Sequence, residues 1–159
     1  MIMWYILLRN AFKLFVMRWR YTYWYGAKGE VLTDAVMNQL IAAYPEYYGK
    51  FSPDQLQNYK NQARGKLGLD CSGFITLISG IFGASFQIWE KCVNKSDVVH
   101  CTAGSYLYKK GHCGLDIGYG YCMHIGTMGE TITISKIQDV GFTDAGQLPN
   151  YNYEGALNV

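Results

Sequence analysis

Apolar residues recur with a period near 3.6 in the first half of the chain and tend to alternate with polar ones in the second. Residues 5–20 read as an amphipathic helix in which Arg9, Lys13 and Arg20 share one face and most of the rest is apolar. The following stretch, YTYWYGAKG at 21–29, reads as a short extended piece and a turn. Thr33 is placed to cap a helix whose apolar positions Val36, Met37, Leu40, Ile41 and Tyr44 have helical spacing, with Pro45 after its end. Ser52-Pro53-Asp54-Gln55 combines a capping box with proline at the first helical position, and predicts a helix to about Arg64. Residues 65–69 read as a loop. Phe74, Ile75, Leu77, Ile78, Ile81 and Phe82 then repeat at i, i+3, i+4, i+7 and i+8, so 71–82 is expected to be a helix with a buried face, stopped by Gly83. Residues 84–103 carry no clear period, and part of them reads as helical.

After Gly104 the period changes. Strands are expected at 105–108, 112–117, 121–126 and 131–134. Helices first and antiparallel strands afterwards define an α+β fold. The second and third strands flank Gly118-Tyr119-Gly120. A three-residue hairpin loop pairs Ile117 with Tyr121, Gly114 with His124 and His112 with Gly126. His112 and His124 then share one sheet face as diagonal neighbours about 7–8 Å apart. A two-residue loop would place them on opposite faces.

Composition narrows the possibilities. The 159 residues are half hydrophobic and only 16% charged, which fits one domain with a real core. The net charge of +2 is too small to argue for nucleic acid. It is unevenly placed: residues 1–28 contain Arg9, Lys13, Arg18, Arg20 and Lys28 and no acid. That segment could touch an anionic surface, and the simpler expectation is a docked helix with a solvated basic stripe. Its uninterrupted apolar run, Met1 to Leu8, is far short of the ~20 residues of a bilayer span, so no transmembrane segment is expected. A charged region before that run is absent, and no signal peptide is expected either.

Candidate chemistry centres on GLDCSGF at 68–74. Cys71 falls in the first turn of its helix, where free N–H groups and the helix dipole favour an anion. Such a place lowers a thiol pKa and favours the nucleophilic thiolate. A thiol nucleophile needs a base and the base an orienting partner, which His112 and His124 supply from one face, with room for the helix carrying Cys71 to pack against that face. His100 has no comparable context and reads as structural. Zinc is disfavoured because strand parity sends Cys113 to the face opposite His112 and His124, and because the spacings match no standard zinc pattern. The same parity argues against a Cys113–Cys122 disulfide, while Cys92–Cys101 stays open. No metal or other cofactor is expected.

DCSGF opening a helix, followed by GHCGLDIGYGYCMHIG, resembles the NlpC family of papain-like bacterial and phage cell-wall cysteine peptidases. The family motif Asp-Cys-Ser-Gly carries the nucleophile, and a later His-x-Gly strand carries the base. A third polar residue, often His, lies twelve positions on. Cys71, His112 and His124 fill those positions. YWYGAKG is similar to the family's Tyr-x-x-Gly-Gly segment, with Tyr23 in place and Ala27 for the second glycine. The resemblance runs over roughly residues 8–135. About 45 residues separate Tyr23 from the cysteine motif where the family usually has about a dozen, so a helical insertion at about 31–66 in a single domain is implied, as in phage-lysin-like members.

The resemblance implies a papain-like fold, with N-terminal helices on a small antiparallel sheet and the nucleophile at the start of the central helix. It implies hydrolysis of peptidoglycan stem peptides, between γ-D-Glu and a diamino acid, by Cys71, His112 and His124. Tyr23, Asp70 and Ser72 would flank the substrate, although capping explains Asp70 and Ser72 equally well. The implied place of action is the bacterial cell wall, reached by secretion or phage release. The alternatives are an amidase or acyltransferase on the same residues, or a non-catalytic wall- or membrane-binding module.

Overall fold

The computed structural model describes residues 1–157. In chain order its elements are β1 (Ile2–Met3), α1 (Tyr5–Val16), a 3-10 turn (Arg18–Arg20), β2 (Tyr21–Tyr23), β3 (Lys28–Val31), α2 (Asp34–Ala43), α3 (Pro45–Tyr48), α4 (Pro53–Ala63) and β4 (Leu67–Leu69). There follow α5 (Cys71–Ser79), α6 (Ser85–Lys91), β5 (Val93–Asp97), β6 (Tyr106–Lys109), β7 (His112–Gly118), β8 (Tyr121–His124), β9 (Thr133–Lys136), α7 (Ile137–Val140), β10 (Asp144–Gln147) and β11 (Tyr151–Asn152). The α+β expectation is met: helices come first, and an antiparallel sheet of order β5-β10-β6-β7-β8-β9 follows.

Local signals account for several of the helix ends. Thr33 Oγ1 accepts from the Val36 amide at the start of α2. At α4, Ser52 and Gln55 form the reciprocal capping box that the sequence predicts. The first helix ends at Val16 rather than Arg20, and Arg18–Arg20 tighten into a 3-10 turn. The fifth ends at Ser79, not at Gly83, because Gly80 already turns left-handed (φ 72°) and its amide caps the Thr76 carbonyl.

Residues 67–69 are a strand and not the expected loop. As β4 they lie between β2, which runs parallel, and β3, which runs antiparallel. β2 and the first half of β3 come from the YTYWYGAKG segment, and β3 and β4 are joined only through α2, α3 and α4. The weak period at 84–103 resolves into α6 and the edge strand β5. A parallel pair of β1 and β11 ties the two ends of the chain together.

The hairpin of β7 and β8 has its predicted register, but by a different route. Leu115 faces Met123 and Asp116 faces Cys122, the alignment that also pairs Gly114 with His124. The loop, however, has two residues, Tyr119 and Gly120, both with positive φ, and Gly118 pairs with Tyr121. Such a turn alone would shift the register by one. An irregularity between Asp116 and Gly118 restores it.

The sheet carries two apolar layers. One face holds Tyr106, Cys113, Leu115, Met123 and Ile125 in a large core with Phe74, Ile75 and Ile78 of α5, and with Leu7 and Ala11 of α1 beyond. The Asn10 amide donates to the Ile78 carbonyl at 2.9 Å and links the two helices. Leu107, Cys122, Phe142 and Ala145 form a smaller cluster on the other face.

Candidate active site

Asp70 organises the start of α5. Its Oδ1 accepts the Gly73 amide at 2.6 Å, capping the helix, and the Ser72 hydroxyl at 3.1 Å. Its Oδ2 accepts the Gly26 amide at 3.1 Å, and the Lys28 ammonium lies 2.6 Å from Oδ1. One carboxylate therefore fixes the helix start against the turn after β2. Gly73 makes this approach possible, since a Cβ there would lie 2.5 Å from the Ala27 carbonyl oxygen.

Cys71 follows at the first helical position and is half-buried. Its thiol is held down at about 5, first by the neighbouring Cys113 thiol and then by His112, against the opposing effect of burial. Cys113 is completely buried, which pushes its own thiol well up and keeps it a donor. Sequence parity identified Cys113 as lying away from the histidines but did not anticipate its contact with Cys71.

His112 and His124 are brought together. His112 Nε2 and His124 Nδ1 are 3.0 Å apart, and His124 Nε2 is 3.0 Å from Ser135 Oγ. Burial first, then the charges of His112 and Lys109, hold His124 down to about 4, so it is neutral at pH 7. A neutral imidazole has one donor and one acceptor nitrogen. If Nε2–H donates to Ser135, Nδ1 accepts from His112 Nε2–H, and His112 Nδ1 is left for the thiol. Phe142 fixes both rings: it stacks on His112 with centroids 5.4 Å apart and meets His124 edge-on at 6.3 Å. Ser135 and Phe142 are absent from the sequence reading. Ser135 pairs with Cys122 in β9, one position beyond the end of the strand expected there.

One geometric expectation is corrected. The helix carrying Cys71 does not pack on the histidine face. It packs on the Cys113 face, while the histidines lie with Phe142 on the other. Contact is made because His112 is the first residue of β7, where an imidazole can reach round the end of the strand.

The remaining candidates divide by role. Tyr23 is buried, its hydroxyl pushed up by that burial, and it lines a cleft of ≈ 670 Å³ together with Asp70, Cys71 and Ser72. Tyr25, Phe86 and Lys110 line other parts of that cleft. Asp70 and Ser72 are also buried and bonded to each other and to Lys28, so capping is a demonstrated role for Asp70. His100 is exposed and pairs with Asp97 at 2.8 Å, away from this arrangement. All five cysteines are free thiols, which closes the Cys92–Cys101 possibility in this structure. Cys101 donates to Asp116 and Cys122 to the Ser135 carbonyl.

No family model matches the chain, and neither does any curated protein. Among solved structures, the chain is similar to one described as the crystal structure of the NlpC/p60 domain of peptidoglycan hydrolase SagA, at 24% identity and a TM-score of 0.44, over 51% of this chain and 78% of that one.

Proposed function

We propose that the chain is a cysteine peptidase that hydrolyses peptide bonds in peptidoglycan stems, with Cys71 as nucleophile, His112 as base and His124 as orienter. The observation that carries this reading is the hydrogen-bonded line His112–His124–Ser135 beside a first-turn Cys71 whose thiol Cys113 and His112 hold down at about 5. The motifs around these residues, which resemble those of NlpC-type peptidases, supply the substrate class and the bond, γ-D-Glu to a diamino acid.

The chemistry follows from the roles. The thiolate attacks the scissile carbonyl, and the oxyanion forms beside the first-turn amides of α5. His112 gives its proton to the leaving amine, producing a Cys71 acyl-enzyme. Water, deprotonated by His112, then releases the acid and restores the thiolate. Neutral His124 accepts the Nε2–H of His112 in both the charged and uncharged states of the base, so the ring need not turn during the cycle. Tyr23, Asp70 and Ser72 border the substrate in the cleft, whose volume falls within the usual range for ligand sites. The helices between β3 and β4 are the 31–66 insertion of a single catalytic domain, and the wall is where it acts.

The test compares wild type, Cys71→Ala and His112→Ala on purified peptidoglycan, with the new amino and carboxyl ends read by mass spectrometry. The reading expects new stem-peptide ends from wild type and none from either variant. Turnover that survives both substitutions overturns it, and fragments cut at the sugar–peptide amide would reassign the bond.

A further inference from the structure

The exposed face of α1 mixes large apolar side chains with cations. Around its helix, Tyr5, Arg9, Phe12, Lys13 and Val16 fall within an arc of about 100°, and all five are exposed. Leu7 and Ala11 point the other way, into the core. The chain then continues through Met17, Arg18, Trp19 and Arg20, all exposed, with Trp19 at 72% and Val16 at 71%. Large apolar side chains thus alternate with cations over the whole face. The expected solvated basic stripe is half of what is there.

The cations are not neutralised within the molecule. Among the described residues the ion pairs are Lys28–Asp70, Arg64–Asp34 and His100–Asp97, none of them on this face. Arg18 instead lies over the Phe15 ring at 4.3 Å.

We infer that this face is a docking surface for a lipid bilayer with anionic headgroups, on which α1 lies flat. Charge complementarity selects that occupant. A second copy would bring cations onto cations. A bilayer interface offers phosphates to Arg9, Lys13, Arg18 and Arg20, and a less polar layer beneath for Phe12, Val16 and Trp19. An exposed tryptophan beside arginines is the pairing that such an interface favours. The inference does not depend on the proposed peptidase chemistry.

Co-sedimentation of the full chain with vesicles tests it. One set is phosphatidylcholine alone, the other an equal mixture with phosphatidylglycerol. Binding is expected to the mixed vesicles only, weakening at least ~tenfold from low to high salt. Trp19→Ser combined with Val16→Asp, both at exposed positions, should abolish it, and Arg18→Gln with Arg20→Gln should weaken it ~tenfold or more, since each basic residue near such a surface contributes about 1 kcal/mol. Circular dichroism checks that each variant is folded. Cys71→Ala should bind as wild type does, which separates this test from that of the peptidase. Three outcomes overturn the inference: no binding to the mixed vesicles by folded protein, binding untouched by Trp19→Ser with Val16→Asp, or a dimer in solution that the same double substitution disperses.

Discussion

The imidazole of His112 occupies the space that a side chain at position 126 would need, because a Cβ there would lie 2.8 Å from its Cε1. Gly126 therefore sets how close β7 and the end of the hairpin can come around the proposed base. Gly126→Ala should turn the ring and lower kcat/KM by about 10- to 100-fold. Thermal unfolding should change little, since position 126 is exposed. Steady-state assays beside a melting curve check both halves.

The Cys71 thiol should titrate far below an ordinary cysteine. Alkylation by iodoacetamide is expected to be fast and flat above about pH 6 and to fall as pH drops through about 5. The Cys113 thiol is the largest cause of that shift, so Cys113→Ala should move the midpoint upward. A midpoint near 8.5 in the wild type would remove the activated thiolate.

His124 should affect stability in the opposite pH window from a salt-bridged histidine. Its folded value lies near 4, below the ordinary 6.5, so the unfolded chain binds the proton first. Stability should therefore fall as pH decreases from about 6.5 toward 4, and His124→Asn should flatten that part of the curve. Urea unfolding midpoints across this range measure it.

Ser135 holds the far end of the histidine pair. Ser135→Ala removes one hydrogen-bond partner of a half-buried ring, and kcat should fall roughly three- to tenfold with KM unchanged. Ser135→Thr should recover part of the loss, which a purely structural role for the hydroxyl would not require.

Asp70→Ala removes the acceptor for Gly73 and Gly26 and leaves the Lys28 ammonium without its carboxylate. A loss of about 2 kcal/mol is expected from the cap and loop bonds together. Denaturant titration gives the number, and Asp70→Asn should cost less because an amide oxygen still caps.

The parts of this molecule legible in the sequence were those set by local chemistry. Thr33, Ser52 and Asp70 each announce a helix start because a short polar side chain satisfies an amide two or three residues on. The register of β7 and β8 is also recoverable, although through compensation: the turn is the two-residue alternative set aside in the sequence, and the irregularity that offsets it carries no sequence signal. What escaped detection depended on long-range pairing. Leu67–Leu69 is too short to show a period, and only its neighbours β2 and β3 make it a strand. Ser135 and Phe142 come from segments far along the chain whose approach to the histidines depends on sheet order. The contact of Cys113 with Cys71 required knowing which face α5 covers, and parity alone does not say.

The placement of α5 and the histidine pair on opposite sides of the sheet has a consequence for how the centre could be repaired or redesigned. Two supports that share no side chains hold the proposed nucleophile and base. Damage beneath α5, at Phe74 or Ile78, displaces the sulfur and leaves the imidazoles in register. Damage at Phe142 loosens the imidazoles and leaves the sulfur in place. Losses from the two sides should therefore multiply in rate, and a gain on one side will not rescue the other. Tuning can then proceed on each side separately, with the first residue of β7 as the single joint that both must respect.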